Sequence, residues 1–285
     1  MNDVWLIAMD MDGTLLRTDQ TMGEATKQAI QSLIAQGHIV AIATGRPPRA
    51  ALAAYRELQL STPLIALNGS YIQFSGHPDD VKTTHIDHSV LESISAAAIA
   101  RGSRGMLAEF GSHCVIRQNE PPLLADKELE RFFFMAVVSE TPDSPTMYQP
   151  LDMAWSKNAF ALLIQLPREQ HAELMAWIES KWPQQIYTRS WRQPFDVIEI
   201  MSKQVNKATG LEAIRQRYGI SPQHVMAFGD EMNDLEMFRY AAISVAMGNA
   251  NPELAAHATA VTKDCNHDGI AYFLNTKFLP TRTLR

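Results

Sequence analysis

Val4-Trp5-Leu6-Ile7-Ala8-Met9-Asp10-Met11-Asp12-Gly13-Thr14 runs from six apolar side chains straight into two aspartates and a Gly-Thr turn. A short, unbroken apolar run bounded by turn residues reads as a strand buried on both faces, the kind found in parallel sheets. Side chains two apart in extended chain point to the same side. The spacing therefore predicts that the Asp10 and Asp12 carboxylates face one point at the carboxyl end of the strand, where open α/β sheets bind ligands. Two like charges that close are unfavourable unless a cation or a shared proton relieves them. The pair predicts a metal site or an acid/base couple. Turns are rich in Asp, Gly and Thr on their own account, but that explains one aspartate, not two at a buried strand's end.

Outward from this run the chain alternates strands and helices. Met22 to Gln36 carries apolar residues at helical spacing and stops at Gly37. Ile39 to Ala43 is a second strand, followed by Thr44-Gly45-Arg46-Pro47 and a helix to about Leu58; Leu64 to Leu67 is a third, ending in Asn68-Gly69. The same style returns late in the chain. Asn206 to Tyr218 reads as a helix with Asn206 as N-cap and Gly219 as its stop. Val225 to Phe228 is a strand ending in Gly229-Asp230, a helix covers Glu231 to Tyr240, and Ile243 to Met247 is a strand ending in Gly248-Asn249. Pro252 opens a further helix, and Thr259 to Val261 is a short last strand. This order implies parallel strands with crossover helices, an α/β fold with a doubly wound parallel sheet.

The middle differs. A hairpin-like segment, Tyr71 to His85 with Gly76 and Pro78 in its turn, leads into helices at Val90 to Ala100, Leu123 to Met135 and Arg168 to Lys181. Between them lie strands near Met106 to Phe110, Cys114 to Gln118, Ala159 to Leu166, Ile186 and Val197 to Ile200. The reading is an α+β unit at 86–200 inserted between core segments 1–85 and 201–285.

Composition narrows the partners. In 285 residues, 25 Lys and Arg stand against 31 Asp and Glu, a formal charge of −6. Nucleic acid and anionic membranes call for a basic surface, so neither is expected, and the basic residues Lys277, Arg282 and Arg285 are too few to change this. Two cysteines, Cys114 and Cys265, form no metal-spaced cluster, and a disulfide framework is not expected. No run approaches the roughly 18 apolar residues of a membrane helix, and the early apolar run ends at Asp10 without the features of a signal peptide. A cytoplasmic location is expected.

Four segments end a strand or start a helix with groups suited to phosphate or Mg²⁺. Besides Asp10 and Asp12 they are Thr44-Gly45, Lys207 and Asp230-Glu231-Met232-Asn233-Asp234. Thr44 can cap a helix, and a hydroxyl with free N–H groups at a helix start suits a phosphate oxygen. A lysine at a helix N-terminus opposes the macrodipole, which points to a nearby anion. Carboxylates in such density after a strand suit Mg²⁺, with Asp230 the better placed ligand. Asn68-Gly69, at a third strand end, is a secondary candidate for contacting substrate.

Taken together, Asp10-Met11-Asp12-Gly13-Thr14-Leu15-Leu16, Ala43-Thr44-Gly45-Arg46, Val205-Asn206-Lys207 and Gly229-Asp230-Glu231-Met232-Asn233-Asp234 resemble the motifs of the haloacid dehalogenase superfamily, specifically its Cof-like phosphatases with an inserted α/β cap. The resemblance implies a Rossmann-like core and a Mg²⁺-dependent phosphatase of small phosphorylated metabolites, such as sugar phosphates or cofactor-precursor phosphates. It implies that Asp10 is the nucleophile and forms an aspartyl-phosphate, and that Asp12 is general acid and then base. Asp10, Asp230 and the main-chain carbonyl of Asp12 would hold Mg²⁺, with Asp234 in the outer shell or beside the metal. Met11, Thr44, Gly45, Lys207 and Asn233 would hold the phosphoryl group. Family members usually have Gly after the motif lysine; this chain has Ala208. A sugar phosphomutase or phosphotransferase on the same core, needing an Arg cluster (Arg101, Arg104, Arg117, Arg131), is one alternative. A non-catalytic ligand-binding protein is another. Oligomeric state is not readable from the sequence.

Overall fold

The computed structural model describes residues 4–57, 63–75, 77, 79–118, 146–191 and 196–279. Contacts divide the chain into two compact units, one of 1–45, 51–82 and 205–285, the other of 46–50 and 83–204. Parts of the predicted middle, including the Leu123 to Met135 helix and Arg131, lie outside the described residues, as do Gly76, Pro78, Leu58, Arg282 and Arg285.

The chain begins with β1 (Leu6–Met9), α1 (Glu24–Ala35), β2 (Ile39–Ala43), α2 (Pro48–Glu57), β3 (Leu64–Ala66), β4 (Tyr71–Gln73) and β5 (Val81–Thr83), all in the first unit except residues 48–50 of α2 and Thr83. The second unit holds α3 (His88–Ile99), β6 (Gly105–Glu109), β7 (Cys114–Gln118), β8 (Thr146–Pro150), β9 (Ala161–Gln165), α4 (His171–Lys181), β10 (Ile186–Ser190) and β11 (Val197–Ser202). The chain then returns with α5 (Lys207–Arg217), β12 (Val225–Gly229), α6 (Leu235–Tyr240), β13 (Ile243–Ala246) and β14 (Ala260–Val261), with short helical turns between and after them.

The first unit is an eight-stranded sheet in the order β14-β13-β12-β1-β2-β3-β4-β5. From β14 to β3 every pairing is parallel, and β4 runs antiparallel to β3. β1 is fully enclosed, and its alternation explains why the run is apolar without a break. Ile7 and Met9 pack with Ile30 and Leu33 of α1, whereas Leu6 and Ala8 pack with Leu211 and Ile214 of α5. α1 buries Thr26, Ala29, Ile30 and Leu33, the spacing of one helical face. It stops at Gly37, whose φ of +83° lets His38 N–H and Gly37 N–H bond back to the Leu33 and Ile34 carbonyls.

The second unit is a six-stranded, mostly antiparallel sheet, β10-β11-β9-β6-β7-β8, with α3 and α4 on one face. Leu91, Ile94, Leu174 and Ile178 fill the space between helices and sheet. This is the α+β organisation read from the sequence.

Two elements depart from expectation near strand ends. The helix read from Glu231 begins as a tight 3₁₀ turn at Met232–Asp234 and becomes α only at Leu235. Asp234 turns back to accept the Asp230 and Glu231 N–H groups at 3.0 and 3.2 Å, which winds the turn around its carboxylate. The strand read to Leu67 ends at Ala66, because Leu67, Asn68 and Gly69 take φ values of +50°, +53° and +102°.

Candidate active site

Strand register creates the site. β1 lies between β12 and β2, with Met9 beside both Phe228 and Ile42. One step beyond, the chain delivers Asp10 from β1, Thr44 from β2 and Asp230 from β12 to the same edge. Connections leave β1 toward β2 on one side, while β12 to β14 extend the sheet on the other, so the edge is a topological switch point.

α5 adds the cation. Asn206 caps it, accepting the Thr209 N–H at 2.9 Å while Thr209 Oγ1 accepts the Asn206 N–H at 3.0 Å. Lys207 is therefore the first helical residue, and it is wholly buried. Its Nζ donates to Asp10 Oδ1 at 2.5 Å and to Asp234 Oδ1 at 2.6 Å. Asp230 completes the group: one carboxylate oxygen each from Asp10, Asp230 and Asp234 lie within 4.8 Å of one another.

With all three carboxylates ionised against one ammonium, the formal charge of this buried group is −2. Burial, followed by the neighbouring carboxylates, holds Asp10 well above the ordinary aspartate range despite the Lys207 contact. Burial and then Asp234 push Asp230 up to about 7. Burial on its own would lower Lys207, but Asp10 and Asp234 outweigh it and raise it. The donor set is all hard oxygen and the excess charge is two, which fits a divalent cation held by carboxylates.

The remaining sequence candidates fall as follows. Asp12 is half-buried and bridges to Leu16, and its carboxylate is not one of the three in the cluster. The strand ends at Met9, so the two-residue alternation does not extend through Asp12. The Met11 side chain belongs to the core beside Met9, which leaves only its main chain for a ligand. Thr44 is buried, its N–H bonded to the Ile65 carbonyl and its own carbonyl accepting the Asn68 N–H. Asn233 Nδ2 donates to Asn68 Oδ1 at 3.2 Å, and a Cβ on Gly45 would meet that same oxygen at 3.3 Å. Asn233, Asn68 and Gly45 thus form one patch.

Two residues that hold Asp230 carried no sequence signal for that role. Thr14 Oγ1 donates to Asp230 Oδ1 at 3.1 Å, and Asn249 Nδ2 lies 3.3 Å from Asp230 Oδ2. Both sit in turns after strands, where hydroxyls and amides are common. Only their convergence on one carboxylate separates them from ordinary turn residues.

A parallel sheet with three clustered carboxylates and a buried lysine at its switch point has the donors for a divalent cation and an anionic ligand, the set-up of an α/β enzyme acting on phosphate groups. A family model described as haloacid dehalogenase-like hydrolase matches residues 7–274, and the chain belongs to that family, within its Cof-like phosphatases. The 5-amino-6-(5-phospho-D-ribitylamino)uracil phosphatase YitU of Bacillus subtilis is 32% identical over 278 residues, covering 96% of this chain and 97% of that protein. The pyridoxal phosphate phosphatase YbhA of Escherichia coli is 29% identical, covering 94% of this chain and 97% of that protein. The crystal structure of TM0651 from Thermotoga maritima superposes with a TM-score of 0.78 at 22% identity, covering 95% and 97% of the two chains, and shows the shared fold. Among the described residues no helix is long and apolar enough to cross a membrane.

Proposed function

We propose that the chain is a cytoplasmic, Mg²⁺-dependent phosphomonoesterase that works through an aspartyl-phosphate on Asp10. The observation that carries this reading is the buried Lys207 ammonium shared by Asp10 and Asp234, beside Asp230 at the strand ends. Asp10, Asp230 and the Asp12 carbonyl would hold Mg²⁺, with Asp234 beside it. When bound, Mg²⁺ would neutralise phosphoryl oxygens and keep Asp10 ionised.

The chain's own groups divide the work. An Asp10 oxygen attacks phosphorus as the ester P–O bond breaks, and Asp12 gives its proton to the departing alkoxide. Asp12 then takes a proton from water as that water attacks phosphorus, releasing inorganic phosphate and restoring Asp10. Asp12 is less enclosed than Asp10 and outside the carboxylate cluster, so different surroundings suit the two aspartates to different tasks. Lys207, the Met11 main chain, Thr44, Gly45 and Asn233 hold the phosphoryl oxygens. Core segments 1–85 and 201–285 carry this chemistry, and the inserted segment 86–200 is the cap domain of the proposal.

For substrate, the names of the two curated relatives support a small molecule phosphorylated on a primary carbon and bearing a nitrogen heterocycle. Sugar phosphates are the second class. A phosphomutase would need arginines free to grip a second phosphate, yet Arg101 is bonded to Glu173 and Arg117 to Gln149 and the Ala154 carbonyl. Phosphate release from a panel holding 5-amino-6-(5-phospho-D-ribitylamino)uracil, pyridoxal phosphate and hexose phosphates tests the reading, with Mg²⁺ or chelator. Turnover should need Mg²⁺ and vanish in Asp10→Asn with the circular dichroism unchanged. Near-normal turnover by that variant would refute the nucleophile assignment.

A further inference from the structure

We infer that Asn249 is a positioning residue that sets the Asp230 carboxylate for the divalent cation; this rests on the metal reading of the site given above. Asn249 is exposed, at the loop after β13, yet its amide is held at both ends. Oδ1 accepts the Cys265 N–H at 3.0 Å. A backbone N–H can only donate, so this bond fixes which end of the amide is oxygen. The NH₂ end must then face the other way, where it donates to the Gly13 carbonyl at 2.8 Å and lies 3.3 Å from Asp230 Oδ2.

The consequence is geometric. Asp230 Oδ1 is held by the Thr14 hydroxyl, and Oδ2 by Asn249, so the carboxylate plane is pinned from two segments. The Asn251 N–H also bonds the Asp230 carbonyl at 2.8 Å, tying the same loop to the residue's main chain. Through the Gly13 carbonyl the same amide ties the Gly13–Thr14 peptide, one residue past Asp12, to the carboxylate, so the loops carrying Asp12 and Asp230 are linked beside the site. Gly13 makes room for this, since a Cβ there would come within 2.3 Å of Asp230 Oδ2 and 3.3 Å of Asn249 Nδ2. Groups that orient a ligating carboxylate change metal affinity without touching the metal.

Calorimetric titration of the metal-free full chain with MgCl₂ alone, without substrate, tests the inference. Asn249→Ala should bind Mg²⁺ about 10–100-fold more weakly than the parent. Its activity should show a raised Mg²⁺ requirement with kcat largely recovered at saturating metal. Because the side chain is exposed, truncation leaves no buried cavity; should Asn249→Ala still fold poorly, Asn249→Ser supplies the same comparison. Mg²⁺ affinity equal to the parent's, with or without a lowered melting temperature, would show a purely structural role and overturn the inference. A parent chain that binds no Mg²⁺ would instead overturn the metal reading itself, so the two failures are distinct.

Discussion

Lys207 Nζ donates to Asp234 Oδ1 at 2.6 Å, and neither side chain is exposed at all. A lysine is ordinarily a surface residue, and here its charge is balanced only within the site. Removing one partner from a buried pair leaves an uncompensated charge, at a cost of about 3–5 kcal/mol. Lys207→Met should therefore destabilise the chain by that order and abolish phosphate release. The double variant Lys207→Met/Asp234→Asn should regain part of the lost stability without regaining activity. Urea unfolding checks this, and a double variant no more stable than Lys207→Met would show that the two residues are not coupled.

Gly13 has a φ of +72°, and a Cβ on it would press within 2.3 Å of Asp230 Oδ2. Gly13→Ala meets both the left-handed backbone penalty of about 1–2 kcal/mol and a collision with that carboxylate. Asp230 is the easier group to displace. Misplacement of this size at a reacting centre costs on the order of 10²-fold in rate. Steady-state phosphate release should fall by about that factor while the fold persists, and turnover within threefold of the parent would contradict the close approach.

A pH test falls on the Arg215–Glu212 ion pair within α5, which the Tyr240 hydroxyl of α6 joins. Glu212 accepts from Arg215 Nε and Nη2 at 2.8 and 2.9 Å, and the Tyr240 hydroxyl also donates to it. These bonds, Arg215 first, hold the Glu212 carboxyl down to about 2 against an ordinary 4.5. A depressed carboxylate stabilises the fold fully above the unfolded value, and that stability is lost as pH falls through the folded one. The side chain is 36% exposed, so solvent screening limits the effect to about 1 kcal/mol. Glu212→Gln should be less stable than the parent at pH 7, with the difference shrinking as pH falls from 4.5 toward 2. A difference constant across that range would mean the carboxylate's charge is not involved.

How much of this was legible in the sequence follows from the range of each interaction. The apolar runs ending at Asp10, Thr44 and Asp230 mark strand ends, because a strand enclosed on both faces admits no polar residue until it leaves the sheet. Lys207 was legible as a helix-start residue from Asn206, but its burial depends on Asp10 and Asp234, which no local pattern relates to it. Asn249 bonds Gly13 across 236 residues of chain, and Thr14 bonds Asp230 across 216. Such pairs exist only once the sheet sets its order. The late start of α6 likewise reflects Asp234 capturing the Asp230 and Glu231 N–H groups, a competition between side chain and helix that propensity does not resolve.

The turn after β3 stores backbone strain beside the phosphate-binding candidates. Leu67 and Asn68 are left-handed at φ +50° and +53°, a conformation costing roughly 1–2 kcal/mol for most residues. Asn tolerates it better than most, and Asn68 also accepts the Asn233 amide and packs against Gly45. Gly69 follows at φ +102°, where a Cβ would lie 2.3 Å from the Asn206 carbonyl oxygen, a main-chain atom at the cap of α5 that cannot swing aside. The turn therefore sits directly against the residue that starts the Lys207 helix. Asn68→Gly should relieve strain and leave the melting temperature equal to or above the parent's, yet raise KM several-fold through loss of the Asn233 contact. Gly69→Ala should do the opposite to stability, lowering it by more than about 1 kcal/mol, and reduce kcat by shifting Lys207. Measured together, the pair separates backbone strain from amide contact: an unchanged KM in Asn68→Gly would mean that Asn68 serves the turn and not the site.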